Sequence, residues 1–176
     1  MQGKLFKIND VQLWKLALAN PVPLFKTLPE QPLLAIFDEK GFFLSERAKE
    51  AYDLVKNSPH IYVARRISEN YFYFGISKQV GGRWKRSHAY HLRGLACEIL
   101  GTKRYDDQDH SLWVNAWFEP FQHQRSGPNF VIKMKEPVII SFSLQQSSSK
   151  KELKNIESRL IFIAKKKGLV VLNKKE

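Results

Sequence analysis

The chain has 176 residues, of which 43% are hydrophobic, and its 29 lysines and arginines outnumber its 17 aspartates and glutamates. This length predicts one domain over residues 1–176 with a buried core, and the formal net charge of +12 favours nucleic acid as a partner. No run of about eighteen apolar residues is present and Cys97 is the only cysteine, so the sequence predicts no membrane span, no internal disulfide and an intracellular, cytoplasmic protein.

The pattern of the first 59 residues predicts short helices and strands that belong to the scaffold of the domain, rather than a separate DNA-reading module. The predicted elements are a helix over 11–18 capped by Asn9 or Asp10, strands over 33–37 and 42–44, and a helix over 45–55.

Two aromatic strands and an arginine-rich segment follow. Ile61-Tyr62-Val63 predicts one strand and Tyr71-Phe72-Tyr73-Phe74-Gly75 the next, with a polar turn between them. Tyr62 and Tyr73 are eleven residues apart, and Arg83 follows Tyr73 by ten, after the Gly81-Gly82 break.

This pattern resembles the GIY-YIG nuclease superfamily, and in character the small restriction-type endonucleases within it. His60-Ile61-Tyr62 stands where the family has Gly-Ile-Tyr, and Tyr73-Phe74-Gly75 where it has Tyr-Ile-Gly. The resemblance implies an α+β fold with a small antiparallel central sheet of about three strands flanked by helices. The core would span 60–100 and 136–174, with an N-terminal elaboration over 1–59 and an insertion over 101–135.

The family also has a late glutamate on a helix and an asparagine near the end of the domain. Residues 138–144 predict a strand, and Ser149 with Glu152 predicts a capped helix after it. Glu157 lies beside the apolar face of that helix, and Asn173 follows near the end of the chain. The resemblance makes Glu157 the metal ligand, with Asn173 and Gly75 as supporting residues.

Glu119 is an alternative to Glu157 as the metal ligand. Asn129 follows Glu119 by ten residues, so this pair also resembles the family's late glutamate and asparagine. Pro120 directly after Glu119 disfavours helical geometry there. Glu157 is therefore the preferred ligand.

The resemblance implies hydrolysis of phosphodiester bonds in double-stranded DNA with Mg²⁺, which Mn²⁺ can replace. Charge builds on the phosphate oxygens during in-line attack, which calls for a cation, an arginine and a means of deprotonating water. Arg83 would grip the phosphate, Tyr62 would act as general base or proton relay, and Tyr73 would orient water or phosphate. The tyrosine that takes the proton stays open.

A histidine about one helical turn after the arginine is common in the family. Ser87 occupies that offset here, so His88 is the candidate catalytic residue, whereas His91 lies about two turns beyond Arg83. Four other basic side chains of this region are candidate DNA contacts: Lys78, Arg86, His91 and Arg93.

The insertion alternates aromatic residues with amides, histidines and an arginine. Gln122, Gln124 and Arg125 either read base edges or line a loop, and Trp113 and Trp117 either stack on bases or pack in the core.

Three functions remain open. The first is a sequence-specific type II restriction endonuclease, in which a double-strand cut implies a homodimer. The second is a structure-specific repair or homing-type nuclease. The third is a nucleic-acid-binding module with a degenerate site, although the presence of Tyr62, Tyr73, Arg83 and Glu157 argues against it.

Overall fold

A computed structural model describes residues 8–38, 41–68, 71–77, 117–144 and 149–173. Within these ranges the helices are α1 (Asp10–Ala17), α2 (Glu46–Val55) and α3 (Lys150–Lys166). The strands are β1 (Val22–Pro23), β2 (Thr27–Leu28), β3 (Gln31–Asp38), β4 (Gly41–Phe42), β5 (His60–Arg66), β6 (Tyr71–Ser77), β7 (Phe118–Ser126), β8 (Asn129–Met134), β9 (Val138–Leu144) and β10 (Val170–Val171).

The three helices begin at the polar residues that the sequence indicates. The Asn9 side chain accepts from the Gln12 N–H at 2.9 Å, and the Ser45 hydroxyl accepts from the Ala48 N–H at 3.0 Å. Ser149 and Glu152 form a reciprocal capping box. The helices predicted over 11–18, over 45–55 and after Ser149 are therefore confirmed together with their caps, and the helix predicted after Arg83 lies outside the described residues. None of the three described helices is long and apolar enough to cross a bilayer.

The first sheet, sheet A, has the strand order β1-β9-β5-β6-β10. Its centre is antiparallel: Tyr62 of β5 lies between Phe142 of β9 and Gly75 of β6. The two-residue strand β1 extends one edge antiparallel to β9, and β10 extends the other edge parallel to β6.

The second sheet, sheet B, joins the N-terminal region to the predicted insertion. Its order is β2-β3-β8-β7, with β4 also pairing with β3. A two-residue loop, Gly127-Pro128, closes the β7–β8 hairpin, and Gly127 has a φ of 58°. A positive φ at the first loop residue and the negative φ of proline at the second indicate a type II′ turn.

The predicted small three-stranded sheet is wrong, although the fold is α+β. Sheet A has five strands, and a second five-stranded sheet is built from β2, β3, β4, β7 and β8. The local patterns predict strands but not their partners, and the pairing of β3 with β8 joins segments about 95 residues apart in sequence, such as Phe37 with Phe130.

Each face of sheet A borders its own apolar core. The inter-sheet core lies toward sheet B and α2 and consists of Val22, Leu24, Phe25, Ala35, Phe37, Ala48, Tyr52, Val55, Tyr62, Ala64, Trp117, Phe118, Ile132, Met134, Val138, Ile140 and Leu172. The helical core lies toward α1 and α3 and consists of Leu13, Ala17, Ile61, Val63, Phe72, Phe74, Ile156, Leu160, Ile163 and Ala164. Alternation along β5 and β6 assigns successive side chains to the two cores.

Candidate functional site

Tyr62 and Tyr73 lie on the same face of two neighbouring strands. Their ring centroids are 6.3 Å apart and the ring planes are tilted by 34°. Tyr73 pairs across the ladder with Ala64, and Tyr62 pairs with Gly75, so the two rings occupy diagonal positions on the inter-sheet face. The strand register thus brings together the two tyrosines that the sequence motif predicts.

Gly75 makes room for the Tyr62 ring. A Cβ atom at position 75 would overlap the Cζ, Oη and Cε2 atoms of Tyr62. The ring therefore lies directly against the backbone of its cross-strand partner, where only glycine leaves space. This close approach is the physical reason for a glycine at the predicted supporting position.

The two tyrosines differ in their access to solvent. Tyr62 is fully buried, with Phe142 and His60 at centroid distances of 6.4 Å each. Tyr73 is only half-buried and packs against the margin of the inter-sheet core. Of the pair, Tyr73 is therefore the side chain whose surroundings suit contact with a solvent-borne substrate.

Asn173 is bound to the backbone of β6. Its Oδ1 accepts from the Phe74 N–H at 3.0 Å, and its Nδ2 donates to the Phe74 carbonyl at 2.6 Å. The adjacent Leu172 N–H donates to the Phe72 carbonyl at 2.7 Å. The Asn173 amide thus continues the parallel pairing of β10 with a side chain, next to the strand that carries Tyr73 and Gly75.

Glu157 is half-buried on α3, beside Ile156 and Leu160 of the helical core. The tyrosines face the inter-sheet core, so α3 packs on the opposite face of sheet A. A site that uses Glu157 together with Tyr73 would have to form around an edge of the sheet. α3 contacts β6 and β10, which form one edge of sheet A.

Several predicted site residues lie outside the described residues. These are the predicted catalytic residues Arg83 and His88 and the predicted DNA contacts Lys78, Arg86, His91 and Arg93. Their proposed roles remain predictions.

The predicted recognition segment forms strand β7. Gln124 and Arg125 are exposed near the hairpin turn, and the Arg125 guanidinium lies 5.4 Å from the Phe130 ring centroid. Gln122 belongs to the same strand. Trp117 is only 1% exposed and packs in the inter-sheet core, so the core-packing interpretation holds for this tryptophan; Trp113 lies outside the described residues.

One buried polar pair was not predicted from the sequence. His60 and Tyr52 have ring centroids 6.3 Å apart, and His60 Nε2 and Tyr52 Oη are buried with no hydrogen-bond partner in the described structure. Burial lowers the pKa of His60 below its ordinary 6.5, although His60 Nδ1 contacts the Ser58 carbonyl at 2.8 Å. The sequence signal for this pair is the histidine at position 60, where the Gly-Ile-Tyr motif that the sequence resembles has glycine.

Mg²⁺ needs few ligands from a protein, and the Glu157 carboxylate could be one of them. No group of three histidine, cysteine, aspartate or glutamate side chains that could hold a metal occurs in the part of the chain that the structure describes. Mg²⁺ is commonly bound by one or two carboxylates, and waters and substrate phosphates complete its shell. A single helical carboxylate is compatible with this arrangement.

No protein-family model, curated protein or solved structure matches this chain.

Proposed function

We propose that the protein is a Mg²⁺-dependent endonuclease that hydrolyses phosphodiester bonds in double-stranded DNA, as a sequence-specific restriction-type enzyme. The observation that carries this proposal is the arrangement of Tyr62, Tyr73 and Gly75. Two tyrosine rings lie 6.3 Å apart on one face of adjacent strands, and the glycine leaves room for one of them. The motif at 60–75 therefore has a specific three-dimensional arrangement as well as a spacing.

The roles of the two tyrosines follow from their surroundings, whereas the roles of Arg83 and Glu157 are those that the resemblance to GIY-YIG nucleases implies. The half-buried Tyr73 orients the attacking water through its hydroxyl or, as the phenolate, takes the proton of that water and becomes the neutral phenol, and the buried Tyr62 ring positions Tyr73. Arg83 neutralises the phosphate through its planar set of donors. Mg²⁺, when bound, supplies charge stabilisation and lowers the pKa of coordinated water, and Glu157 would hold it.

DNA sequence recognition is assigned to β7. Gln124 and Arg125 are exposed beside the β7–β8 turn, and Gln122 precedes them on the same strand. Amide and guanidinium groups form paired hydrogen bonds with base edges in the major groove, which admits a two-stranded ribbon. A double-strand cut by an enzyme with one site per chain requires a homodimer.

A second candidate function is a nucleic-acid-binding module with a degenerate site. The complete burial of Tyr62 and the packing of α3 on the other face of sheet A favour it. Both candidate functions depend on the basic net charge and on the proposed DNA contacts of β7. They differ in whether a phosphodiester bond is broken.

Nicking of supercoiled plasmid in Mg²⁺ by the Tyr73→Phe and Tyr71→Phe variants tests the role of Tyr73. Both tyrosines lie on the same face of β6 at the margin of the inter-sheet core, and each change removes only a hydroxyl. Tyr73→Phe should slow nicking by about 100-fold or more, the usual range for a proton-transfer group, while Tyr71→Phe should nick at close to the wild-type rate. Equal rates in wild type and Tyr73→Phe would contradict the assigned role.

A further inference from the structure

The outward face of α3 carries an unusual line of side chains. Residues 151, 154, 158, 162 and 165 follow one another at spacings of three, four, four and three, so they form one stripe along the helix. Their side chains are Lys151, Lys154, Ser158, Phe162 and Lys165, here called the α3 stripe, and all five are exposed.

Phe162 is the informative member of the α3 stripe. It is 64% exposed, although α3 already buries its apolar face in the helical core through Ile156, Leu160 and Ile163. Packing among the residues that the structure describes therefore gives no reason for an aromatic residue at this position. An exposed aromatic ring between lysines suits a ligand that has both a flat apolar surface and negative charge.

The charges along the α3 stripe are of one sign. Within the described part of the chain, no acidic side chain forms an ion pair with Lys151, Lys154 or Lys165. Of the acidic residues of α3, Glu152 is engaged in the capping box and Glu157 is half-buried beside the helical core, and the cation Arg159 is paired with Asp10 on the side toward α1 at 2.8 Å. The stripe thus presents lysines that no described acidic side chain neutralises.

We infer that the α3 stripe binds a single-stranded segment of nucleic acid, with phosphates on its lysines and an unpaired base stacked on Phe162. The stripe spans about 21 Å at 1.5 Å per residue, long enough to follow several nucleotides of a single strand. Base–aromatic stacking beside a basic track is the usual way in which proteins hold single strands. The inference shares with the proposed function only the premise that the ligand is nucleic acid.

A membrane surface fits the stripe less well. A helix that lies in a bilayer interface buries a broad apolar face, whereas here that face is occupied by sheet A and only Phe162 projects outward between the lysines.

Fluorescence anisotropy with a fluorescein-labelled oligothymidylate in EDTA tests the inference, since the bases of this probe are unpaired and no cleavage is needed. One variant carries Lys151→Gln, Lys154→Gln and Lys165→Gln. Its matched control carries Lys26→Gln, Arg47→Gln and Lys49→Gln, a triple change that also removes three exposed cations, two of them on α2, across sheet A from α3.

The α3 triple variant should lose at least about tenfold more affinity than the control. Its salt dependence, the slope of log affinity against log salt, should fall by about 2, since each lost contact with a single strand removes about 0.7. Equal losses of affinity in the two triple variants would overturn the inference.

Phe162→Ala and Phe162→Trp test the stacking contact. Phe162→Ala should weaken oligothymidylate binding by about 5- to 100-fold and affect a duplex of the same length much less, and Phe162→Trp should retain binding. Wild-type affinity in Phe162→Ala would overturn the stacking role. Loss of binding to phosphatidylserine vesicles by Phe162→Ala, with oligothymidylate binding unchanged, would assign the stripe to a membrane. Because these assays measure binding without Mg²⁺, failure of the endonuclease proposal would leave their outcome interpretable.

Discussion

At the scale of single residues, the contact between Gly75 and Tyr62 is the most constrained feature of the candidate site. The ring of a fully buried tyrosine occupies the space that any other residue at position 75 would need for its Cβ. Backbone on one side and the inter-sheet core on the other restrict the ring. The position of Tyr62 relative to Tyr73 therefore depends on the absence of a side chain at Gly75.

Gly75→Ala should lower the free energy of unfolding by about 1–3 kcal/mol, because the added methyl group displaces the Tyr62 ring in a packed core. Urea unfolding measures the change. The control is a double-mutant cycle with Tyr62→Ala, since the methyl group should cost far less once the ring is gone. Equal costs of Gly75→Ala with and without the Tyr62 ring would contradict the close contact.

The lowered pKa of the buried His60 predicts that the stability of the protein depends on pH. The folded-state pKa of His60 lies below the ordinary 6.5, so between these two values the unfolded chain binds a proton that the folded chain does not. The free energy of unfolding should therefore fall as the pH drops below about 6.5, by up to about 1.4 kcal/mol per pH unit. Urea unfolding between pH 8 and about pH 5.5, where carboxylates with ordinary pKa values of about 4 stay largely ionised, measures this slope.

His60→Phe should remove most of that slope while preserving a ring among Tyr52, Tyr62 and Phe142. A variant whose stability declines toward acid pH as steeply as that of the wild type would show that His60 is not the group responsible.

At the scale of elements, Asn173 links the end of the chain to the strand that carries Tyr73. The Asn173 amide gives Phe74 both a donor and an acceptor, as a neighbouring strand would. Asn173→Ala should cost about 1–3 kcal/mol, the net value of two hydrogen bonds, and should speed hydrogen exchange of the Phe74 amide.

Asn173→Asp is the matched control for that change. It keeps the acceptor for the Phe74 N–H but loses the donor to the Phe74 carbonyl, so exchange at Phe74 should stay slower than in Asn173→Ala. Unchanged exchange at Phe74 in Asn173→Ala would rule out the pairing.

The sequence predicts individual elements better than their partners. Caps at Asn9, Ser45 and Ser149 and the apolar spacing of α3 depend on residues close in sequence, and these predictions are confirmed. The β7 strand was missed because its alternation is irregular and Pro120 interrupts it, and its register shifts between Phe118 and His123.

The candidate site shows the same difference between contacts that depend on local sequence and contacts between distant segments. Period-two alternation and the motif place Tyr62 and Tyr73 together, whereas the contact of Asn173 with Phe74 joins positions 99 residues apart. Nor does the apolar face of α3 indicate which face of sheet A it covers.

At the scale of the whole molecule, sheet A is the organising element. Its inter-sheet face carries the tyrosine pair and packs against sheet B, which presents Gln124 and Arg125, and its other face carries α3 with Glu157 and the α3 stripe. The proposed catalytic residues are therefore divided between the two faces of one sheet, and the α3 stripe lies on the same face as Glu157. Catalysis would have to take place where these faces meet.

The central claim is tested most directly by nicking of supercoiled plasmid, with DNA binding measured in parallel, for wild type, Glu157→Gln and Glu50→Gln. Glu50 is an exposed carboxylate on α2 and serves as the matched control. We predict nicking by wild type and Glu50→Gln that requires Mg²⁺ and stops in EDTA. Glu157→Gln should lose at least about 100-fold in rate, because the metal supplies several kcal/mol of transition-state stabilisation, and should still bind DNA. Absence of Mg²⁺-dependent nicking by the wild type, or nicking by Glu157→Gln at the wild-type rate, would contradict the account.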